Sequence, residues 1–231
     1  MKIPNLIICV CLERNLIDTD NIKILISSAE KKGYKINLIS DLCFYSVKKK
    51  EELKKKFSDE GENIIAACYP RAVKSLLKQI IPDNNYKVIN LRKGKIEDIL
   101  RQLNLKKIEG NLNIELPEYT EGWPSWFPSI DKERCVNCAK CVDFCMFGVY
   151  TIIDRKVTVI NPSNCKNNCP ACARMCPETA IVFCKHTEEP INGEIINKEK
   201  DFTIDVKELY KGDIYKKLAE RKNRNKNELL K

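Results

Sequence analysis

Thirteen of the 231 residues are cysteine and only one is histidine. Eight of the cysteines fall in two tight runs. The first is Cys135-x2-Cys138-x2-Cys141-x3-Cys145, and the second is Cys165-x3-Cys169-x2-Cys172-x3-Cys176, followed by Pro177. Three thiolates this close together can wrap one corner of an iron–sulfur cubane, and a fourth must then come from elsewhere in the chain. Structural zinc sites pair two ligands and return with two more after a longer gap, which these triples do not do. An odd cysteine count cannot close into a fully paired disulfide scaffold, and one histidine argues against a His-rich zinc or copper site. The two runs are therefore expected to hold two [4Fe–4S] clusters.

Four further cysteines lie near the N-terminus. Cys9 and Cys11 end an apolar run, Asn5–Cys11 (NLIICVC). Cys43 follows a second run, Tyr34–Ser40, and Cys68 ends a third, Asn63–Cys68. If the runs are parallel strands, their carboxyl ends share the edge where ligands bind, so four thiols can meet there. Four is also the number a [4Fe–4S] cluster needs. The competing reading is that cysteine is a common buried residue, which suits a strand-interior Cys9 best. Cys184, the thirteenth, reads as a partly buried free thiol.

Two resemblances bear on these sites. Residues 129–185 resemble the bacterial-type dicluster ferredoxins. That resemblance implies a small α+β fold and an exchange of fourth ligands: Cys135, Cys138, Cys141 and Cys176 for cluster I, with Cys145, Cys165, Cys169 and Cys172 for cluster II. Two departures stand out: Met146 in place of a proline after Cys145, and one extra residue between Cys165 and Cys169. Residues 5–80, through Cys9-Val10-Cys11, Cys43 and Ala66-Ala67-Cys68-Tyr69-Pro70-Arg71, look like the N-terminal domain of the flavin-carrying A subunit of heterodisulfide reductase. That resemblance implies a third cluster on Cys9, Cys11, Cys43 and Cys68. The family's flavin domain has no counterpart here, so the cluster carries over and the flavin does not. Arg71 reads either as a cation at a helix start near that cluster or as a surface arginine.

The elements that must position these thiols follow from periodicity. Residues 1–105 alternate strand and helix: strands 5–11, 34–40, 63–68 and 86–90, with helices 20–32, 48–57, 72–80 (closed by Pro82) and 96–103. This pattern predicts a small doubly wound parallel α/β domain. Residues 106–128, with Pro117, Pro124 and Pro128, read as a linker whose Trp123, Trp126 and Phe127 pack one domain on the other. Residues 129–185 are a degenerate repeat of cysteine-rich loop, short helix and apolar strand. Residues 186–231 read as a hairpin around Asn192-Gly193, a common turn pair, and a basic helical tail from Val206. Lone His186 is expected on the surface beside that hairpin.

Several functions are argued against. The first βα loop, Cys11-Leu-Glu-Arg-Asn15, has no glycine for a pyrophosphate, and neither G-x-G-x-x-G nor a P-loop occurs, so no nucleotide or flavin is expected. The apolar run Leu6–Leu12 is too short for a signal h-region or a membrane span, so the chain is expected to be cytoplasmic without membrane insertion. The formal charge is +9, with eight Lys/Arg against three Asp/Glu from Lys211 onward. Each thiolate-ligated cluster adds a net −2, so two clusters leave about +5 and three about +3. No aromatic–basic interleaving supports nucleic-acid binding. The tail instead suits an acidic protein partner.

The expected function is an iron–sulfur electron-transfer protein of an anaerobic pathway. It would be an oxidoreductase subunit rather than a stand-alone enzyme, serving a redox partner protein, with a flavoenzyme among the candidates. The alternative is an enzyme whose N-terminal cluster binds substrate at an open iron.

Overall fold

The strands form where β-branched and other apolar side chains cluster. In a computed structural model, described for residues 3–59, 61–78, 80–81, 85–108, 113–119 and 122–196, β1 (Asn5–Cys9) and β3 (Asn63–Ala67) are buried at every position. That is the pattern of central strands covered on both faces. β2 (Lys35–Ile39) and β4 (Lys87–Asn90) keep exposed positions and form the edges. The four strands make one parallel sheet in the order β2-β1-β3-β4. The strand order reverses between β1 and β3, and the crevice beyond the carboxyl ends of those two strands is where such sheets bind ligands.

Helices α1 (Thr19–Lys31), α2 (Leu42–Lys48), α3 (Lys50–Lys55), α4 (Pro70–Leu77) and α5 (Ile96–Gln102) connect and follow these strands. Asp18 caps α1 by accepting the Asp20 N–H at 2.9 Å. The expected single helix 48–57 is instead two, and α2 begins six residues earlier. Its N-terminus is set by Asp41, whose carboxylate accepts the Phe44 N–H at 2.8 Å, as a capping residue does. Cys43 therefore sits in the first turn of a helix and not in a loop. Helix α4 starts at Pro70, whose fixed φ suits the first helical position, and ends at Leu77. Pro82, expected to close it, lies outside the described residues.

The cysteine-rich segment is built from short elements. β5 (Ser129–Ile130) pairs antiparallel with β8 (Ile181–Val182). Between them lie α6 (Lys140–Phe144), the hairpin of β6 (Tyr150–Ile153) and β7 (Lys156–Val159), a 3₁₀ turn at Pro162–Asn164 and α7 (Ala171–Arg174). Each cysteine run thus leads into a short helix and then into strand, as the degenerate repeat predicts. Asn192-Gly193 does not turn a β-hairpin. No strand follows β8 among the described residues, and the chain closes in turns, with Gly193 N–H on the Pro190 carbonyl at 3.1 Å. The predicted basic helix from Val206 lies outside the described residues. Among those residues no helix is long and apolar enough to cross a membrane.

The chain up to Ile195 forms one compact unit with two apolar cores, one around the parallel sheet and one in the cysteine-rich segment. The linker aromatics serve both. Trp123 and Phe127 stack at 5.7 Å against the sheet's core, and Trp126 stacks on Phe183 at 5.2 Å in the second. Polar ties complete the junction. Arg71, at the start of α4, pairs with Asp131 at 2.7 Å and donates to the carbonyls of Pro190, at 3.0 Å, and of Thr179. It is a strut between the two cores rather than a surface arginine. Ser75 and Ser129 share a hydrogen bond of 2.7 Å. A Cβ on Gly193 would lie 2.5 Å from that of Ala72 in α4, so this close approach requires glycine, as does its φ of +93°.

Candidate metal centres

The eight thiols of the two runs separate into two neighbouring groups. Cys135, Cys138, Cys141 and Cys176 together line one pocket that opens to solvent. Left-handed φ values at Asn137 (56°) and Ala139 (62°) curl the chain around Cys138. Such a conformation is uncommon outside glycine and is held only where the surroundings enforce it. The Ala180 N–H donates to the Cys176 sulfur at 3.2 Å. Burial pushes the Cys141 thiol up to about 11, and the neighbouring Cys176, Cys135 and Cys138 add to it.

The second group is Cys145, Cys165, Cys169 and Cys172. Burial raises Cys165 to about 12, helped by the charges of Cys172, Cys169 and Cys145. Burial likewise raises Cys172 to about 11, although the Tyr150 hydroxyl, donating to its sulfur at 3.0 Å, works against the rise. Cys172 also feels Cys141, so the two groups adjoin. The donor set of both is soft and all-thiol, and suits iron in a cluster. Among the described residues no three Cys, His, Asp or Glu side chains stand close enough to share one metal ion, whereas a cubane takes its thiolates at separate corners. Met146 is 87% exposed, so the position after Cys145 tolerates the missing proline by turning outward.

At the sheet edge five thiols gather rather than four. Cys11 lies two residues past β1, in a left-handed conformation (φ 54°), and Cys68 lies one residue past β3. Both therefore stand at the switch point. The thiols of Cys68 and Cys9 neighbour Cys11. These neighbours, with the Lys185 ammonium, hold Cys11 well below the usual thiol range against the opposing effect of burial. The Cys9 sulfur also accepts the Leu42 N–H at 3.2 Å. The neighbouring Cys184 thiol, whose sulfur also contacts the Ala72 carbonyl at 4.0 Å, and burial push Cys43 up. All five are buried, between 2% and 6% exposed.

The sequence reading missed Cys184 as part of this group, and with it Lys185, Asp41 and Glu13. Lys185 is buried and makes ion pairs with Asp41, at 2.6 Å, and with Glu13, while donating to Ser125 at 2.5 Å. Burial alone would pull its ammonium below the ordinary range, but the charges of Cys43, Asp41 and Glu13 outweigh burial and hold it above. The available signal was an apolar strand ending in Cys-Lys, a charge that has no reason to be buried without partners. Arg92 fixes the same turn by donating to the carbonyls of Cys184, at 2.8 Å, and His186, at 2.6 Å. His186 is buried, not on the surface. Its ring lies 5.9 Å from Trp126, and its Nδ1 accepts the Glu188 N–H at 2.9 Å.

No family model matches the chain. It is similar to an uncharacterized ferredoxin of Methanocaldococcus jannaschii, 52% identical over 60 residues, covering 26% of this chain and 41% of that protein. Ferredoxin-3 of Nostoc sp. is 35% identical over 81 residues, covering 26% of this chain and 82% of that protein. The pyruvate synthase subunit PorD of Methanothermobacter marburgensis is 37% identical over 62 residues, covering 27% of this chain and 70% of that protein. Each similarity thus covers about a quarter of the chain, and the first spans less than half of the relative's own length.

Proposed function

The chain belongs to the ferredoxins, and from that premise we propose that it carries three [4Fe–4S] clusters and passes single electrons between them and a redox partner enzyme. Cluster I takes Cys135, Cys138, Cys141 and Cys176, and cluster II takes Cys145, Cys165, Cys169 and Cys172. A third cluster sits at the sheet edge among Cys9, Cys11, Cys43 and Cys68, as the likeness to the heterodisulfide reductase A subunit implies. The observation that carries the reading is the separation of the eight ferredoxin-like thiols into two adjoining groups of four.

In this reading the clusters supply the one-electron chemistry, and the chain supplies thiolates, insulation and docking. Burial keeps the Cys141, Cys165 and Cys172 thiols protonated, so metal binding must displace those protons, and cluster assembly is favoured as pH rises. The deep burial of the sheet-edge thiols favours electron transfer over substrate binding at that site. The similarity to a pyruvate synthase subunit makes an enzyme of that kind the first partner to try. A soluble cytoplasmic setting and an anaerobic pathway belong to the same proposal.

Anaerobic purification, iron analysis and stepwise reduction with dithionite test it. The visible charge-transfer absorption should bleach reversibly, and the reduced protein should pass its electrons to a low-potential viologen dye. A protein that binds no iron, or whose reduced clusters donate to no acceptor, overturns the reading.

A further inference from the structure

We infer that Cys184, supplied by the cysteine-rich segment, is a ligand of the sheet-edge cluster and takes the corner otherwise assigned to Cys9. The inference rests on the three-cluster reading and changes one ligand of it. Its first support is placement. Cys11, Cys68 and Cys184 all lie just beyond the ends of their strands, and Cys43 lies in the opening turn of α2. These are positions from which a sulfur can be turned toward a common centre. Cys9 differs in placement: it is the last residue of β1 and still in the ladder, opposite Ile39.

Its second support is the framework that holds Cys184 in place. Asp41 caps the helix that carries Cys43, and Lys185 directly follows Cys184. The Asp41–Lys185 pair at 2.6 Å therefore fastens the two cysteine-bearing turns to each other. Arg92 grips the carbonyls on both sides of Lys185, at 2.8 and 2.6 Å. The tie leaves the Cys43 and Cys184 thiols as neighbours. A buried ion pair is weak evidence of stability on its own, and its best-attested use is to fix geometry. Here the geometry it fixes is the approach of two sulfurs. Lys185 also places a positive charge beside Cys11 and Cys43, which suits a cluster that becomes more negative on reduction. Cys9 then serves as an outer thiol neighbouring Cys11.

The test uses full-length protein purified anaerobically, with iron analysis, Mössbauer spectroscopy and electron paramagnetic resonance. Wild type should hold about twelve irons per chain, as three cubanes require. Cys184→Ala should hold about eight, with the two ferredoxin-type signals unchanged, and Cys9→Ala should keep about twelve. Cys184→Ser preserves the side-chain volume and decides the matter if the alanine variant does not fold. Its hydroxyl replaces a sulfur at iron, so the third signal should shift or vanish. A full iron content with an unaltered third signal in the Cys184 variants overturns the inference. Loss of the third signal in Cys9→Ala overturns the exclusion of Cys9. About eight irons in wild type would overturn the three-cluster reading itself, independently of which cysteines are ligands.

Discussion

Single side chains tune the centres, and Tyr150 shows how. Its hydroxyl, buried in the second core, donates to the Cys172 sulfur at 3.0 Å. A hydrogen bond to a ligating sulfur stabilises the reduced cluster, which carries more negative charge, over the oxidised one. Tyr150→Phe keeps the ring and removes only that bond. With about 0.5–1 kcal/mol assigned to it, the midpoint potential of cluster II should fall by about 20–40 mV, while iron content stays constant. A redox titration followed by electron paramagnetic resonance reads this, and an unmoved potential would show that the hydroxyl only fills space. At this scale the sequence was most legible where spacing carries the chemistry. The two runs of four cysteines stood out by their spacing alone, whereas the exchange of fourth ligands between them is what the resemblance to the dicluster ferredoxins implies. Cys184 and Lys185 did not stand out, because their partners Cys43 and Asp41 lie about 140 residues away and only the folded chain brings them together.

At the scale of elements, the strands were read within one or two residues, since an apolar run of strand length leaves little choice. Helix α2 was missed. Its amphipathic signal is short, and the decisive clue was the single capping residue Asp41. The Arg71 strut shows what sequence periodicity cannot convey. Arg71 stands one residue inside α4, yet its three partners, Asp131, Thr179 and Pro190, all belong to the cysteine-rich segment or the turn after it. Both members of the Arg71–Asp131 pair are 13% exposed at the side chain. Arg71→Ala should therefore cost about 2–4 kcal/mol, since it strands a largely buried carboxylate and two carbonyls. Arg71→Lys should restore only part, because an ammonium cannot reproduce the planar fork. Anaerobic denaturant titration measures both. A change below about 1 kcal/mol in the alanine variant would mean that the apolar contacts of the junction suffice without the strut.

At the scale of the whole molecule, a parallel sheet and a ferredoxin-like segment share one compact unit, and their thiols differ sharply in access to solvent. Cys138 is exposed, whereas Cys9, Cys11, Cys43, Cys68 and Cys184 are all buried. This gradient governs how the protein ages in air. Oxidation of a thiolate to sulfenic and higher acids follows its exposure, so damage should begin at Cys138 and release the iron of cluster I first. Timed air exposure followed by iron analysis should show a fast loss of about four irons and a much slower loss of the rest. Mass spectrometry should find the first oxygen adducts on the peptide containing Cys138. Parallel loss of every spectral signal would show instead that the buried centre breathes as freely as the surface one. A sample that had lost only cluster I in air would keep its remaining iron in cluster II and, on the three-cluster proposal, at the sheet edge, the part of the molecule least like an ordinary ferredoxin. The usual brown colour would be a poor guide to how much electron-carrying capacity remained.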